Sequence, residues 1–314
     1  MYNKRVVIAI GGNSLTPTDK TNWMESQFKN TRTSIDSIIT LIEKGYSVVI
    51  SHGNGPQVGV ALRRVEETRD ILPEIPLGIL VAETEGSMGY MIEQSLQNEL
   101  FDKGIKIPVT TILTQVLVDK DDEALLDPTK YIGSFYTEEE ANELARTNGW
   151  KVKKDGDRGY RRVVGSPKPL AIINKPTLRK LVDSGIIVIA GGGGGIPVYL
   201  DENKHFNGLD AVIDKDRASA LIGNVINADE LYILTAVEKV CLNFGKPDQV
   251  EIDHMTADQA DQYLNEGHFP YGSMGPKMKS AIEFLKGGGK RVIITAIDKL
   301  VEAVEGKNGT SITN

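Results

Sequence analysis

Residues 4–14 read Lys4-Arg5-Val6-Val7-Ile8-Ala9-Ile10-Gly11-Gly12-Asn13-Ser14, and the fold follows from how this stretch is interpreted. Val6 to Ile10 is a continuous apolar, mostly β-branched run stopped by glycine, which predicts a strand over 4–10 buried on both faces. Such a strand belongs in the middle of a sheet. Downstream, Phe28, Ile35, Ile38, Ile39 and Ile42 recur at helical spacing over 22–44, and Gly45 stands where a helix C-terminus favours a left-handed residue. The reading then alternates: strand 46–51, helix 88–100, strand 107–112, helix 177–182 and strand 186–190. A helix over 214–226, a strand over 230–235, a helix over 274–285 and a strand over 291–295 continue it. Repeated alternation of this kind predicts an open, doubly wound α/β fold with a mostly parallel sheet covered on both faces.

The pattern lapses between Val118 and Pro169, where charge, glycine and proline dominate. Its clear helix is 137–146, opened by the capping-box pair Thr137 and Glu140. The segment is too long for a plain loop, so a small subdomain over 118–169 is expected within a single domain spanning 1–314. Gly306 to Asn314 is polar and is expected to fray.

Composition narrows the function. Of 314 residues, 40% are apolar, enough for a packed core, and 36 basic against 43 acidic residues leave a net charge of −7. No whole-molecule field would draw in nucleic acid or an anionic membrane, so an anionic ligand needs locally gathered cations. The single cysteine, Cys241, cannot form an internal disulfide, which fits a cytoplasmic location. The apolar run before Gly11 is too short for a signal peptide, and none reaches the ~18 residues of a membrane helix.

Three glycine clusters each follow a predicted strand: Gly11-Gly12-Asn13-Ser14, His52-Gly53-Asn54-Gly55-Pro56, and Gly191 to Gly195. In an open parallel sheet ligands bind at the carboxyl ends of strands, where glycine lets backbone N–H groups approach phosphate oxygens. Taken singly, each cluster is equally well a tight strand-to-helix turn. Their recurrence after three strands outlines an anion site. Pro56 suits the first turn of a helix, whose positive end would face the same place. No loop ends in Gly-Lys-Ser/Thr, and Gly53-x-Gly55-x-x-x-Gly59 is one residue too long for the dinucleotide pattern.

Two lysines sit awkwardly at predicted helix starts. Lys215 follows Asp214, a natural N-cap, and Lys277 follows Gly272-Ser273-Met274-Gly275-Pro276. A cation there opposes the helix dipole unless an anion lies nearby. Each is also readable as an ordinary surface lysine beside a cap, and Lys130 has nothing in its composition to single it out. The four histidines, His52, His205, His254 and His268, show no metal-ligand spacing, although His52 adjoins a glycine loop. There is no Gly-x-Ser-x-Gly elbow, so covalent catalysis lacks a candidate.

Taken in order, Ala9 to Asn13, Ser51 to Gly59, Thr114-Gln115-Val116, Ser166 to Pro169, Gly192 to Val198, Val212 to Asp216, Asn243 to Pro247 and Gly272 to Lys277 resemble the carbamate kinases of the amino-acid kinase superfamily. The resemblance covers nearly the whole chain. The His-Gly-Asn-Gly-Pro-Gln-Val-Gly and Gly-Gly-Gly-Gly-Ile-Pro-Val runs are its most specific parts. It implies a three-layer α/β/α sandwich with an open, mostly parallel sheet and a small protruding subdomain, assembled as a homodimer. It also implies reversible phosphoryl transfer between ATP and carbamate, run toward ATP in catabolism, with Mg²⁺ bridging the nucleotide phosphates.

By the same resemblance, Gly11, Gly12 and Asn13 bind phosphate, Gly53, Asn54 and Gly55 surround the carbamoyl group, and Gly193 and Gly194 bind substrate or phosphate. Lys215 and Lys277 match the lysines that neutralise the transferred phosphoryl group, Asp214 the aspartate that orients lysines, and Lys130 the subdomain lysine that reaches into the site. The adenine is expected near Thr235, Ala236, Val237, Val240, Phe244, Lys246 and Met274. Glu85 stands where a glutamine is common, and Tyr131 and Ser134 replace frequent prolines. Pointed into the acceptor pocket, Glu85 would disfavour an anionic acceptor. Sequence alone leaves open a kinase for another small carboxylate, or a nucleotide-binding regulatory homologue without turnover. It also leaves open whether arginine, agmatine or a ureide supplies the carbamoyl phosphate.

Overall fold

The computed structural model of the chain describes residues 4–16, 22–269 and 272–314. Its main sheet has eight strands in the spatial order β15 (His254–Thr256), β17 (Thr310–Thr313), β16 (Arg291–Ala296), β12 (Glu230–Thr235), β1 (Lys4–Ile10), β2 (Tyr46–His52), β9 (Ile187–Ile189) and β3 (Val109–Thr111). The β1 strand lies well inside it, flanked in parallel by β12 and β2. Every neighbouring pair is parallel except β16 with β17.

Side-chain alternation along β1 sets the layers. Val6, Ile8 and Ile10 pack with Ile35, Ile38 and Ile42 of α2 (Trp23–Glu43) and with Met88, Ile92 and Leu96 of α4 (Leu77–Asp102). Leu15 of α1 (Gly12–Leu15) joins this face. Val7 turns the other way, into a cluster with Leu178 of α7 (Lys175–Asp183), Ile222 of α8 (Lys215–Val225), Ala260 of α9 (Ala257–Asn265) and Phe284 of α10 (Met274–Lys286). Burial on both faces is why the strand reads as one unbroken apolar run. The result is a three-layer α/β/α sandwich around a mostly parallel sheet.

Two expectations are corrected. The helix expected over 88–100 already begins at Leu77. It buries two different stripes: Leu77, Leu80 and Val81 against Val58 and Leu62 of α3 (Gly55–Thr68), and Met88, Ile92 and Leu96 against α2. With no single apolar stripe, its helical period is blurred in the sequence. The fraying expected over 306–314 does not occur either. Within it β17 is inserted between β15 and β16, with Thr310 and Ile312 fully buried, an outcome decided by long-range pairing rather than by local composition.

Three smaller sheets complete the chain. One has the order β11 (Phe206–Gly208), β10 (Ile196–Leu200), β4 (Gln115–Leu117) and β8 (Ala171–Ile172), and another pairs β13 (Val240–Leu242) with β14 (Val250–Ile252). The third, β5 (Lys130–Tyr136), β7 (Tyr160–Val164) and β6 (Lys151–Lys154), falls inside the 118–169 stretch, together with α5 (Glu123–Leu126) and α6 (Glu138–Asn148). The capping box of α6 is formed: Thr137 N–H donates to Glu140 Oε2 at 2.8 Å and Glu140 N–H to Thr137 Oγ1 at 3.2 Å. This third sheet rests on α3. There Gly59 meets Gly133 backbone to backbone, and Arg162 of β7 forms an ion pair with Glu66. A last helix, α11 (Leu300–Val304), packs Leu300 beneath the main sheet. Among the described residues, no helix is long and apolar enough to cross a membrane.

Candidate active site

β1, β2 and β9 run parallel and each leads into one of the three glycine loops, so the loops gather at one edge of the sheet. The first two touch: Gly53 N–H donates to Ile10 O at 2.9 Å, and a methyl on Gly12 would lie 2.9 Å from the Gly53 carbonyl. No side chain could stand between these strands' ends. Helix α3 starts at Gly55 with Pro56 in its first turn and directs its positive end the same way.

A cavity of about 500 Å³ lies at these strand ends. Gly11, Gly12, Gly53, Asn54, Gly55 and Gly193 line one part of it, with Lys130, Asp214, Lys215 and Lys277. The structure thus brings all three singled-out lysines into one cavity. Asn13 lies in α1, and its side chain is outside the described residues. Gly194 is buried but does not line the cavity.

The charged groups form two linked sets. Asp214 is the N-cap of α8, its Oδ1 accepting from the N–H groups of Asp216 at 3.0 Å and Arg217 at 3.4 Å. Its Oδ2 accepts from Lys130 Nζ at 2.7 Å. One carboxylate therefore starts a helix and holds a lysine carried by β5. Asp216 accepts from Lys277 Nζ at 2.8 Å and, on its other oxygen, from Lys215 Nζ. Burial opposes ionisation of Asp216, but the Lys215 and Lys277 charges outweigh it and hold its carboxyl well below the usual range. Burial likewise works against the Lys277 ammonium, and Asp216 more than compensates, raising its pKa. Burial draws Lys215 down, with Asp216 opposing and Lys277 adding to the effect.

Sequence reasoning passed over Asp216. It reads as a solvated neighbour of a cap, yet it is 2% exposed and is the pivot of the lysine pair. The available signal was an acidic residue in the first turn beside an awkward lysine.

The other part of the cavity is more apolar. Thr235, Ala236 and Val237, at and just past the end of β12, line it with Leu234, Lys239, Phe244 and Met274, and also with Cys241, which was not expected there. Val240 and Lys246 do not line it. Val240 is buried in β13 with its N–H donated to Thr310 Oγ1 at 2.8 Å, and Lys246 is exposed.

Two buried ionisable groups sit behind the glycine loops rather than in the cavity. His52 is fully buried, and burial lowers its pKa to about 4, so the ring is neutral. Glu85 does not line the cavity, and its carboxylate faces backbone N–H groups instead. Among the described residues, no group of three or more His, Cys, Asp or Glu side chains is placed to hold a metal ion.

The arrangement gathers three ammonium groups and bare backbone amides in one cavity with apolar side chains such as Leu234, Val237 and Phe244. Residues 4–296 match the model of the amino acid kinase family. A carbamate kinase of Pyrococcus horikoshii is 46% identical over 312 residues, covering 99% of each chain. A carbamate kinase-like protein of Escherichia coli is 45% identical over 314 residues, again 99% of each. Among solved structures, carbamate kinase from Giardia lamblia bound to AMP-PNP is 40% identical, with a TM-score of 0.89 over 99% of this chain and 98% of that one.

Proposed function

The chain belongs to the amino acid kinase family and, within it, to the carbamate kinases, and from that premise we propose that its cavity carries reversible phosphoryl transfer between ATP and carbamate. In catabolism the reaction runs from carbamoyl phosphate and ADP toward ATP. The observation that carries this reading is the convergence of Lys130, Lys215 and Lys277 on one cavity with the glycine loops and with apolar residues such as Val237, Phe244 and Met274.

In the forward direction a carbamate oxygen forms the new bond to the γ-phosphorus as the bond to the β-bridging oxygen breaks, and ADP leaves. The transferred group spreads negative charge over its oxygens, so alignment and fixed cations suffice without a covalent intermediate. Carbamate is already an oxyanion and needs no strong base. Lys215 and Lys277, held apart by Asp216, neutralise the migrating group. Lys130, oriented by Asp214, offsets the acceptor's repulsion from the nucleotide. Backbone amides of Gly11, Gly12 and Asn13 receive phosphate oxygens, and those of Gly53 to Gly55 and Gly193 receive the acceptor. Thr235 to Val237, Phe244 and Met274 hold the adenine. In a site drier than bulk water these fixed dipoles act strongly.

Mg²⁺ belongs to the proposal as a companion of the nucleotide, where it supplies charge neutralisation on the phosphates. Both aspartates lining the cavity are already engaged by lysines, so phosphate oxygens and water would be its main ligands. The proposal also includes a cytoplasmic homodimer that consumes carbamoyl phosphate derived from arginine, agmatine or a ureide. Exposed Ile79, Tyr90 and Phe101 on α4 support an assembly surface.

The deciding assay is ATP formation from ADP with carbamoyl phosphate beside acetyl phosphate and other acyl phosphates. Preference for carbamoyl phosphate is expected. Turnover on another donor alone would move the chain to a different acceptor, and nucleotide binding without any turnover would make it a regulatory homologue.

A further inference from the structure

Consecutive residues of one helix hold both acceptor loops. Thr84 Oγ1 accepts from Asn54 Nδ2 at 2.9 Å, fixing the Gly53–Gly55 loop from behind. Glu85, 1% exposed, accepts from Gly192 N–H on Oε1 at 3.0 Å and from Thr114 N–H on Oε2 at 3.2 Å. Thr114 Oγ1 in turn accepts from Gly191 N–H at 2.8 Å. The two loops also meet directly, since a methyl on Gly193 would lie 2.1 Å from Asn54 Nδ2. Gly193 faces the cavity; Glu85 grips the residue just before it.

We propose that Glu85 is a positioning residue for the phosphoryl acceptor: from α4 its carboxylate ties the Gly191–Gly195 loop to Thr114 and so fixes how Gly193 presents its backbone to the acceptor. The ionised group offers both oxygens as full acceptors to the two backbone donors, whereas a protonated carboxyl keeps some acceptor capacity but must also place its own O–H. Protonation weakens acceptance at the oxygen that carries the proton, and in this chain a glutamine, the residue common here in the family, would turn its NH₂ toward one of the two N–H groups. Burial raises the Glu85 pKa to about 8, against the opposing pull of the Thr114 and Gly192 hydrogen bonds. The titratable group beside it is His52 of β2: a methyl on Gly192 would touch His52 Nε2 at 2.4 Å and Glu85 Cγ at 2.9 Å. That ring is neutral and its Nε2 has no partner, so it does not compensate the carboxylate. The tie is therefore strongest above about pH 8 and weaker below it.

The inference rests on the carbamate kinase reading, and wild-type turnover on carbamoyl phosphate separates the two. If that turnover is absent, the functional reading fails first. Given turnover, kcat/KM for carbamoyl phosphate should rise through a limb near pH 8, while KM for ADP stays level. In Glu85→Gln the limb should disappear and KM for carbamoyl phosphate should increase about 10-fold, the scale of one orphaned buried donor, with KM for ADP within about 2-fold. A variant that keeps the limb and the wild-type KM overturns the proposal. Should the variant not fold, the wild-type profile decides alone, since a flat kcat/KM between pH 7 and 9 is incompatible with a titrating tie.

Discussion

Replacing Gly59 by alanine tests how the third lysine is placed. A methyl on Gly59 of α3 would lie 2.3 Å from Gly133 Cα and 2.4 Å from Gly133 N, both backbone atoms of β5 that no rotamer change can move. Ordinary contact begins near 3.4 Å, so α3 and β5 must part by about 1 Å. Val58, next to Gly59, is fully buried against α4, so the displacement should fall on β5. Lys130 begins that strand, and its 2.7 Å contact with Asp214 would be broken or redirected. A 1 Å misplacement of a reacting group costs about 100-fold. We therefore expect Gly59→Ala to lower kcat/KM for carbamoyl phosphate about 100-fold, with KM for ADP within about 2-fold, in initial-rate assays of ATP formation. The overpacked contact should also cost about 1–3 kcal/mol in urea unfolding. Adding Lys130→Ala should reduce the rate little further, because both changes remove the same contact. A folded Gly59→Ala enzyme with wild-type kcat/KM, or fully additive losses in the double variant, would refute the reasoning.

Four further outcomes can be measured by rate assays and unfolding. Lys215→Ala should slow turnover by about 100-fold or more while leaving the circular dichroism spectrum unchanged; wild-type turnover would remove Lys215 from the mechanism. Asp216→Asn leaves two largely buried lysines without their shared carboxylate and should cost about 3–5 kcal/mol in urea unfolding, whereas a neutral effect would mean the lysines find other partners. The folded Asp216 pKa lies below its unfolded value near 4, so its stabilisation is present above about pH 4 and lost as pH falls through the folded value. Wild-type stability should accordingly decline more steeply below pH 4 than that of Asp216→Asn, and parallel declines would contradict the assignment. Ile312→Ala in β17 should cost about 2–5 kcal/mol, and a loss below about 0.5 kcal/mol would restore the picture of a frayed end.

What the sequence disclosed tracks how local each feature is. The β1 run, the helix of Ile35, Ile38 and Ile42 with its left-handed Gly45 at φ 79°, and the capping pair Thr137 and Glu140 are settled by neighbours in the chain. So are the glycine loops, because a strand followed by glycine is a local pattern. The start of α4 escaped notice because two apolar stripes overlap on one helix. The β4–β10 and β15–β17 pairings were invisible because strands of three to five residues acquire meaning only beside distant partners. Charge partners were the hardest to read. Asp214 was legible as a cap, but nothing near it announces Lys130, 84 residues away, and the role of Asp216 depends on Lys277, 61 residues away.

The bookkeeping of formal charge around Asp214 and Asp216 has an uneven geography. The start of α8 and the first turn of α10, packed together beneath the sheet, bring both Lys215 and Lys277 onto the single carboxylate of Asp216. Lys130, which arrives on β5 of the small three-stranded sheet, is matched one-to-one by Asp214, so the surplus positive charge lies with the Lys215 and Lys277 pair. Attraction for an anion is thus built into the two packed helix starts, while the outlying strand brings a cation already matched by its own carboxylate.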